Sequence, residues 1–365
     1  MTLPSLLDLL PGVPIVESPL FHALIDELQL TDEQLRVAIE LNDRGFAVID
    51  FPDDQLDARI DRIRGFLLPY FETDMEDPET IKTSGRVQRV QDAWVYNEDV
   101  RAIASNPAIL NLLSKLYGRR PFPFQTLNFP VGTQQHLHSD SIHFSSIPER
   151  FMCGVWLAME DVRSDAGPLT YLPGSHKWPI LNNVMIGRRG GGSDREFAQV
   201  PFESAWDALI KSSLIEPEVF LARKGQALIW AANLLHGGSP QLDAKLTRWS
   251  QVSHYYFEDC AYYTPAFSDE PLGRLDLRSI VDVSTEQLKP NIYLGESIDP
   301  EPVRQSPPSL FAKIRKRMRT PVGLPNDFDP DSYYRLNPDV AAARLDAATH
   351  YLNHGKTEGR RYRYR

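Results

Sequence analysis

The sequence predicts an α+β protein: helices first, then a barrel or double-sheet sandwich of short strands, then a small helical piece. Three observations predict that order. Residues 21–118 carry apolar positions at helical spacing between capping signals. From about 122 to 260, short runs rich in β-branched and aromatic residues alternate with turn residues, as in barrels and sandwiches. Proline, at 29 of 365 residues, favours turns over long helices.

Residues 1–20 are apolar and proline-punctuated and read as an arm lying on the main domain. A helix is expected over 21–43, where Thr31-Asp32-Glu33-Gln34 is a capping signal before Leu35, Val37, Ala38 and Leu41. Gly45 ends it, and Phe46–Phe51 is a buried-strand candidate. Leu56, Ile60, Ile63 and Leu67 form one stripe of a second helix over about 54–70. A third is expected near 98–117, ending at Gly118. The strand candidates that follow are 124–130, 135–144, 151–160, 168–173, 226–232 and 246–257. Gly187–Arg195 is a glycine-rich polar loop, either a plain surface connection or a lid over a site. Residues 285–326 read as a linker that includes the basic run Lys313–Arg319, and 327–365 as a separate small helical module.

The bulk composition narrows the partners. A net charge of -10 and a pI near 5.4 argue against nucleic acid. Two cysteines, Cys153 and Cys260, exclude a disulfide scaffold and argue against a cysteine zinc site, which fits a reducing cytoplasm. The first residues lack the basic region and apolar core of a signal peptide. No apolar run approaches the length of a membrane span.

The residues that carry chemistry lie in the strand-rich stretch. His138 and Asp140 stand two apart, so strand alternation puts them on one face, as two ligands of one metal require. His136 shares that face. His138 is the better ligand, because a separation of four residues spans about 13 Å of extended chain. His236 follows the apolar run Ala227–Ala232 and precedes Gly237-Gly238. A strand carries it inward, and the glycines let the backbone turn sharply beside a bound group. Two imidazoles and one carboxylate make the face that holds Fe(II) and leaves three positions open. The same set suits zinc, and each histidine alone is more often structural than a ligand. Alternation also puts Arg248, Ser250, Val252 and His254 on one face. A buried arginine needs an anion. A guanidinium beside a hydroxyl suits a carboxylate, whether on a co-substrate or on the protein. Trp156 either walls a pocket or belongs to the core. His143 and His254 are candidates to support the ligands, and His176 is read as structural.

These segments together resemble a known family. His138-Ser139-Asp140, Val155–Asp161, Gly167-Pro168-Leu169, Pro173-Gly174-Ser175-His176, His236–Pro240 and Arg248 resemble the phytanoyl-CoA dioxygenase family over roughly residues 40–260. The resemblance implies a double-stranded β-helix, a jelly-roll relative of the cupin-like kind, within a domain over 21–284. Its helical part would be 21–118 and its core about 120–265. The resemblance also implies Fe(II), with 2-oxoglutarate and O2 as co-substrates. By position, His138, Asp140 and His236 match the iron ligands, and Arg248 matches the partner of the distal 2-oxoglutarate carboxylate. Trp156 matches an aromatic lining the co-substrate pocket, and Gln125 and Asn128 resemble polar groups that steady the co-substrate. Gly238 departs from the pattern, since a hydroxyl residue often stands there; Ser239 or Ser250 would then supply that hydrogen bond. Halogenating relatives replace the carboxylate ligand with a small residue, so Asp140 implies hydroxylation.

The implied activity is a dioxygenase that hydroxylates a small molecule. Phe328–Val340 and His350–Arg360 resemble a helical module appended to bacterial glycosyltransferases and surface-polysaccharide proteins. That resemblance implies either peripheral contact with glycan machinery or an inert cap, and tilts the expected substrate toward a carbohydrate or polysaccharide precursor. The alternative from another class is a non-catalytic jelly-roll protein that binds a sugar or metabolite over a vestigial metal site; intact ligands and Arg248 oppose it. A zinc hydrolase is opposed by the lack of a positioned general base or nucleophile.

Overall fold

A six-stranded antiparallel sheet carries helices on one face and a cavity, backed by a three-stranded sheet, on the other. The computed structural model describes residues 5–71, 89–191, 198–299, 324–325, 327–342 and 347–363. Helix α1 (Asp32–Arg44) starts at Thr31, whose hydroxyl accepts the Gln34 N–H while Gln34 Oε1 accepts the Thr31 N–H. It stops at Gly45, whose φ of 83° suits glycine. The expected start at 21 is instead two short turns, Phe21–Leu24 and Ile25–Glu27. Strand β1 (Phe46–Asp50) and helix α2 (Leu56–Leu67) follow as expected. The helix expected near 98–117 is broken into α3 (Glu98–Ala104) and α4 (Pro107–Tyr117). The break has a local cause: Asn106 Oδ1 accepts the N–H groups of Ala108 and Ile109, and Pro107 has no N–H to continue α3.

The remaining main strands are β2 (Val90–Gln91), β3 (Pro121–Phe129), β4 (Met152–Ala158), β5 (Leu169–Tyr171), β6 (Glu218–Phe220), β7 (Gln226–Ala231), β8 (His236–Gly238) and β9 (Ser250–Phe257). The large sheet has the order β1-β7-β4-β9-β3-β2, and the small one β6-β5-β8. Helix α5 (Val200–Ser213), which the turn-rich reading did not predict, precedes β6. The strand expected at 135–144 is not formed. That segment makes one bridge, His138 to His236, and then a helical turn at Asp140–Ile142. Ser139 ends the extended chain by accepting the Ser141 N–H on its hydroxyl.

Alternation sorts the large sheet. Ala47, Ile49, Val155, Leu157, Ala227 and Ile229 face the helices and pack on Val37, Leu41, Ile60, Ile63 and Leu113. Burying each such side chain contributes about 1.5–3 kcal/mol. The other face presents ordered cross-strand rows. Trp230, Gly154, His254 and Gln125 form one, and Leu228, Trp156, Val252 and Leu127 the next. The second row packs with Leu169, Tyr171 and Phe220 of the small sheet.

Residues 285–299, expected to begin a linker, instead contain paired strands, with Gln287–Lys289 on Ile280–Asp282 and Ile292–Tyr293 on Glu296–Ser297. The rest of the expected linker up to 323, the basic run Lys313–Arg319, and residues 192–195 of the glycine-rich loop lie outside the described residues. The tail forms helices α6 (Pro330–Leu336), α7 (Pro338–Ala342) and α8 (Ala347–His350) around Tyr333, Val340, Ala347 and Tyr351. Arg361 ties it to the main body through Glu286, which also receives Arg101. No helix among the described residues is long and apolar enough to cross a membrane.

Candidate active site

One histidine from β8, one from the bridge opposite it, and the first carboxylate of the next turn form a cluster. The ligand atoms of His138, Asp140 and His236 all lie within 4.8 Å of one another, and all three residues are buried. His138 Nε2 stands 3.9 Å from Asp140 Oδ1, and His236 Nε2 stands 3.7 Å from Asp140 Oδ2. The other nitrogen of each ring is committed to the backbone: His138 Nδ1 to the His136 carbonyl at 2.8 Å, His236 Nδ1 to the Leu234 carbonyl at 3.0 Å. A carbonyl only accepts, so both Nδ1 atoms carry the proton and both Nε2 lone pairs face Asp140. Metal-binding histidines use this arrangement to fix tautomer and ring orientation.

The glycines after His236 act by close approach, not by the sharp turn expected of them. A Cβ on Gly237 would meet the Gln135 carbonyl oxygen at 2.5 Å, and one on Gly238 the Gln134 nitrogen at 2.9 Å. Their absence of side chains lets residues 134–138 lie directly on β8. The backbone then closes the bridge, with His138 N–H to His236 O at 2.9 Å and His236 N–H to His138 O at 3.0 Å.

One side chain braces the carboxylate: Trp230 Nε1–H donates to Asp140 Oδ2 at 2.9 Å. His254 Nε2 lies 3.6 Å from the same oxygen, beyond hydrogen-bond distance. His254 is itself held by Gln125 Oε1 at 3.0 Å from its Nδ1. Burial pushes His138 down to about 3 and His254 down to about 4, so both are neutral near pH 7. Burial works against Asp140 ionisation, but the three imidazoles and the Trp230 N–H outweigh it and hold the carboxyl down at about 2. Neutral imidazoles and an ionised carboxylate are the forms that bind a divalent metal.

These residues open on a cavity of about 1440 Å³, which Arg248, Trp156 and Gln125 also line. Arg248 is 2% exposed, and its Nε and Nη1 find no acceptor among the described residues. Burial lowers it to about 10, so it remains charged near neutral pH. Its guanidinium sits 5.5 Å from the Trp156 ring centre. Trp156 Nε1 and Ser250 Oγ are likewise buried without partners. A buried cation beside unmet donors needs an anion. The two-His-one-carboxylate set with open positions suits Fe(II), and the Arg248 environment suits a dicarboxylic co-substrate such as 2-oxoglutarate. Zinc suits the same three ligands but leaves Arg248 unaccounted for.

The expected residues are placed unequally. His138, Asp140, His236, Arg248, Trp156 and Gln125 come together around the cavity. His136 does not: its side chain is exposed, and only its carbonyl takes part. Asn128 alternates to the helix-facing side of β3, where its amide donates to Gln251 Oε1, so it is not placed to steady a co-substrate. Ser250 shares the inner face but does not line the cavity. Sequence reasoning missed Trp230, read only as part of an apolar strand, and the tail helices, whose Tyr334 and Arg335 line the same cavity. No local signal marks either; both depend on contacts between distant segments.

The chain is similar to several known proteins. The zebrafish (Danio rerio) phytanoyl-CoA dioxygenase domain-containing protein 1 is 24% identical over 136 residues, covering 33% of this chain and 47% of that relative. The match thus spans about half of that relative's length. The alpha-ketoglutarate-dependent carbocyclase SnoK from nogalamycin biosynthesis superposes with a TM-score of 0.50 at 16% identity, over 75% of this chain and 95% of SnoK, and shows the shared fold. EctD from S. alaskensis with bound Fe gives a TM-score of 0.48 at 15% identity, over 65% of this chain and 80% of EctD. The model of the phytanoyl-CoA dioxygenase family matches residues 41–248, more than half of the chain and all the residues of the cluster, and the chain belongs to that family.

Proposed function

We propose that this protein is a non-haem Fe(II)- and 2-oxoglutarate-dependent dioxygenase that hydroxylates a small molecule, with the two facing sheets forming a double-stranded β-helix. The observation that carries the reading is Arg248: a buried guanidinium with unmet N–H groups in the cavity of the His138–Asp140–His236 cluster. His138, Asp140 and His236 would hold the iron. Arg248 would take the distal carboxylate of 2-oxoglutarate, with Trp156 Nε1 as an adjacent donor. Bound there, iron, 2-oxoglutarate and O2 together supply the oxidising chemistry.

The chain's own contribution is orientation and exclusion of water. The carbonyls of His136 and Leu234 fix the two imidazoles, and Trp230 fixes the carboxylate. The row Leu228, Trp156, Val252 and Leu127 makes a dry floor that strengthens every charge contact above it. A carboxylate in the third ligand position leaves no place there for a halide, which supports hydroxylation over halogenation.

The test is anaerobic loading with Fe(II) and 2-oxoglutarate, then exposure to O2 and measurement of succinate. Iron-dependent succinate release is expected, abolished by Asp140→Ala and by His236→Ala. Undiminished release in either variant overturns the assignment.

A further inference from the structure

The cavity of about 1440 Å³ has room for far more than a metal and a five-carbon diacid. Its floor has a direction. Arg248 stands just before β9, beside Trp156 in the row of Leu228, Trp156, Val252 and Leu127. The row of Trp230, Gly154, His254 and Gln125 comes next along the strand, and from it Trp230 reaches Asp140. On the far side of that row from Arg248 lies Phe124, stacked on Tyr256 with ring centres 4.1 Å apart. Phe144 packs edge-on against Phe124 at 5.4 Å. A diacid bridging Arg248 and the metal would lie over the first row and leave the Phe124–Phe144 end open.

Phe144 belongs to the turn that carries the carboxylate ligand. Its N–H donates to the Asp140 carbonyl at 2.8 Å, so its ring stands a fixed step from the metal cluster. The ring is held on several sides. Its centre lies 5.2 Å from that of His254 and 6.0 Å from that of His143. The Arg278 guanidinium lies 4.8 Å from it, in the range of a cation–π contact, and Arg278 Nη1 donates to the His143 carbonyl and to Thr264 Oγ1. Half-buried, Phe144 lines the cavity together with Phe124. The two rings make an apolar shelf beside the metal cluster, on the side away from Arg248. Such a surface takes water from a polar group and returns no hydrogen bond, whereas hydrocarbon gains by lying on it.

We propose that this shelf seats the primary substrate by an apolar hydrocarbon face whose C–H bonds are turned toward the metal, and that Phe144 is a specificity-determining residue. The proposal rests on the iron and 2-oxoglutarate reading, since the shelf is the end of the cavity that reading leaves open. It narrows the small molecule of that reading to one with a hydrocarbon face.

The test uses full-length protein loaded with Mn(II) and saturated with 2-oxoglutarate, so that Arg248 is occupied. Cyclohexanol is titrated, and the paramagnetic enhancement of its proton relaxation is followed. Myo-inositol, the same ring with a hydroxyl on every carbon, is titrated in parallel. Saturable enhancement is expected for cyclohexanol in the wild type, with an affinity above that of inositol by about tenfold or more. Phe144→Leu stays apolar and should keep most of that affinity, whereas Phe144→Gln should lose about fivefold or more. Three results each overturn the proposal while leaving the proposed function standing: no saturable enhancement by cyclohexanol, inositol binding as tightly, or equal cyclohexanol affinity in the two variants. If Phe144→Gln does not load, the wild-type comparison of the two probes decides. Loading is read separately, from the Mn(II) spectrum and 2-oxoglutarate binding; a wild type that takes up neither overturns both.

Discussion

Gly154 lies directly beneath the indole of Trp230: a Cβ built on Gly154 would sit 2.1 Å from Trp230 Cζ2. The two residues are register partners on β4 and β7. Only a bare backbone at 154 lets the indole cross the sheet flat enough for Nε1 to reach Asp140. Gly154→Ala should therefore act on the metal without touching a ligand. We expect an overpacking cost of about 1–3 kcal/mol and a fall in Fe(II) or Mn(II) affinity of about 10–100-fold. Trp230→Phe removes the N–H and leaves Gly154 alone, and should reproduce the affinity loss at a smaller cost in stability. Metal titration with thermal unfolding measures both; wild-type metal affinity in Gly154→Ala refutes the linkage.

Arg248 offers a test in which stability and binding move in opposite directions. A buried charge with two unmet N–H groups, offset only by the charge of Glu160, costs stability in the free protein, and replacing it with an apolar group of similar volume is often neutral or stabilising. Arg248→Met should leave the unfolding temperature of the metal-free, ligand-free protein unchanged or raised. It should also abolish the stabilisation that 2-oxoglutarate gives the wild type and raise the 2-oxoglutarate requirement for turnover. Strong destabilisation of the ligand-free variant would mean that Arg248 serves the fold.

The order of helices, then strands, was legible because periodicity and caps are local. Thr31 and Gln34 form the box their spacing suggests, and Gly45 and Gly118 close their helices. Errors arose where a side chain competes with the backbone over one or two residues, as at Asn106 and at Ser139. His138 and Asp140 do converge, but through a bridge and a turn, not through strand alternation. Ser139 prevents the strand by which alternation would pair them. What stayed hidden is register. Gly154 and Trp230 are 76 residues apart and meet only because β4 and β7 pair in one frame. Arg335 lines the cavity from a tail that also meets the main body through Arg361 and Glu286.

The attachment of the tail should depend on that ion pair. Burial works against ionisation of Glu286, yet Arg361 and Arg101 together hold its carboxyl below the usual range. Its contribution is therefore present above the ordinary glutamate value and is lost as pH falls through the depressed one. Glu286→Gln should expose the tail to proteolysis at neutral pH. In the wild type the same cleavage should appear only under acid conditions. Because the pair is partly exposed, the effect is about 1 kcal/mol or less, seen as a several-fold faster cleavage rate. An unchanged rate would show that the pair does not hold the tail in place.

His176 should make the whole domain acid-sensitive, and the sign follows from its surroundings. The ring packs against Gly45, where an added Cβ would lie 2.4 Å from Nδ1, and its Nε2–H donates to the Asn42 carbonyl at 3.0 Å. Nδ1 is buried without a partner among the described residues. A second proton would thus enter a site with no acceptor, and burial lowers the group from 6.5 to about 4. The unfolded chain takes up that proton first. The contribution of neutral His176 is complete above about pH 6.5 and is lost as pH falls toward 4, amounting to about 3 kcal/mol at the acid end. Buried His138 and His254 and half-buried His143 push in the same direction, so the measurement must isolate one ring. His176→Gln keeps a side-chain donor for Asn42 and cannot titrate. The stability difference between wild type and His176→Gln, from denaturant unfolding at several pH values, should be constant above pH 7 and shrink steadily below 6.5. A difference that stays flat down to pH 4 would show that His176 is protonated in the folded protein with an acceptor the structure does not place beside it.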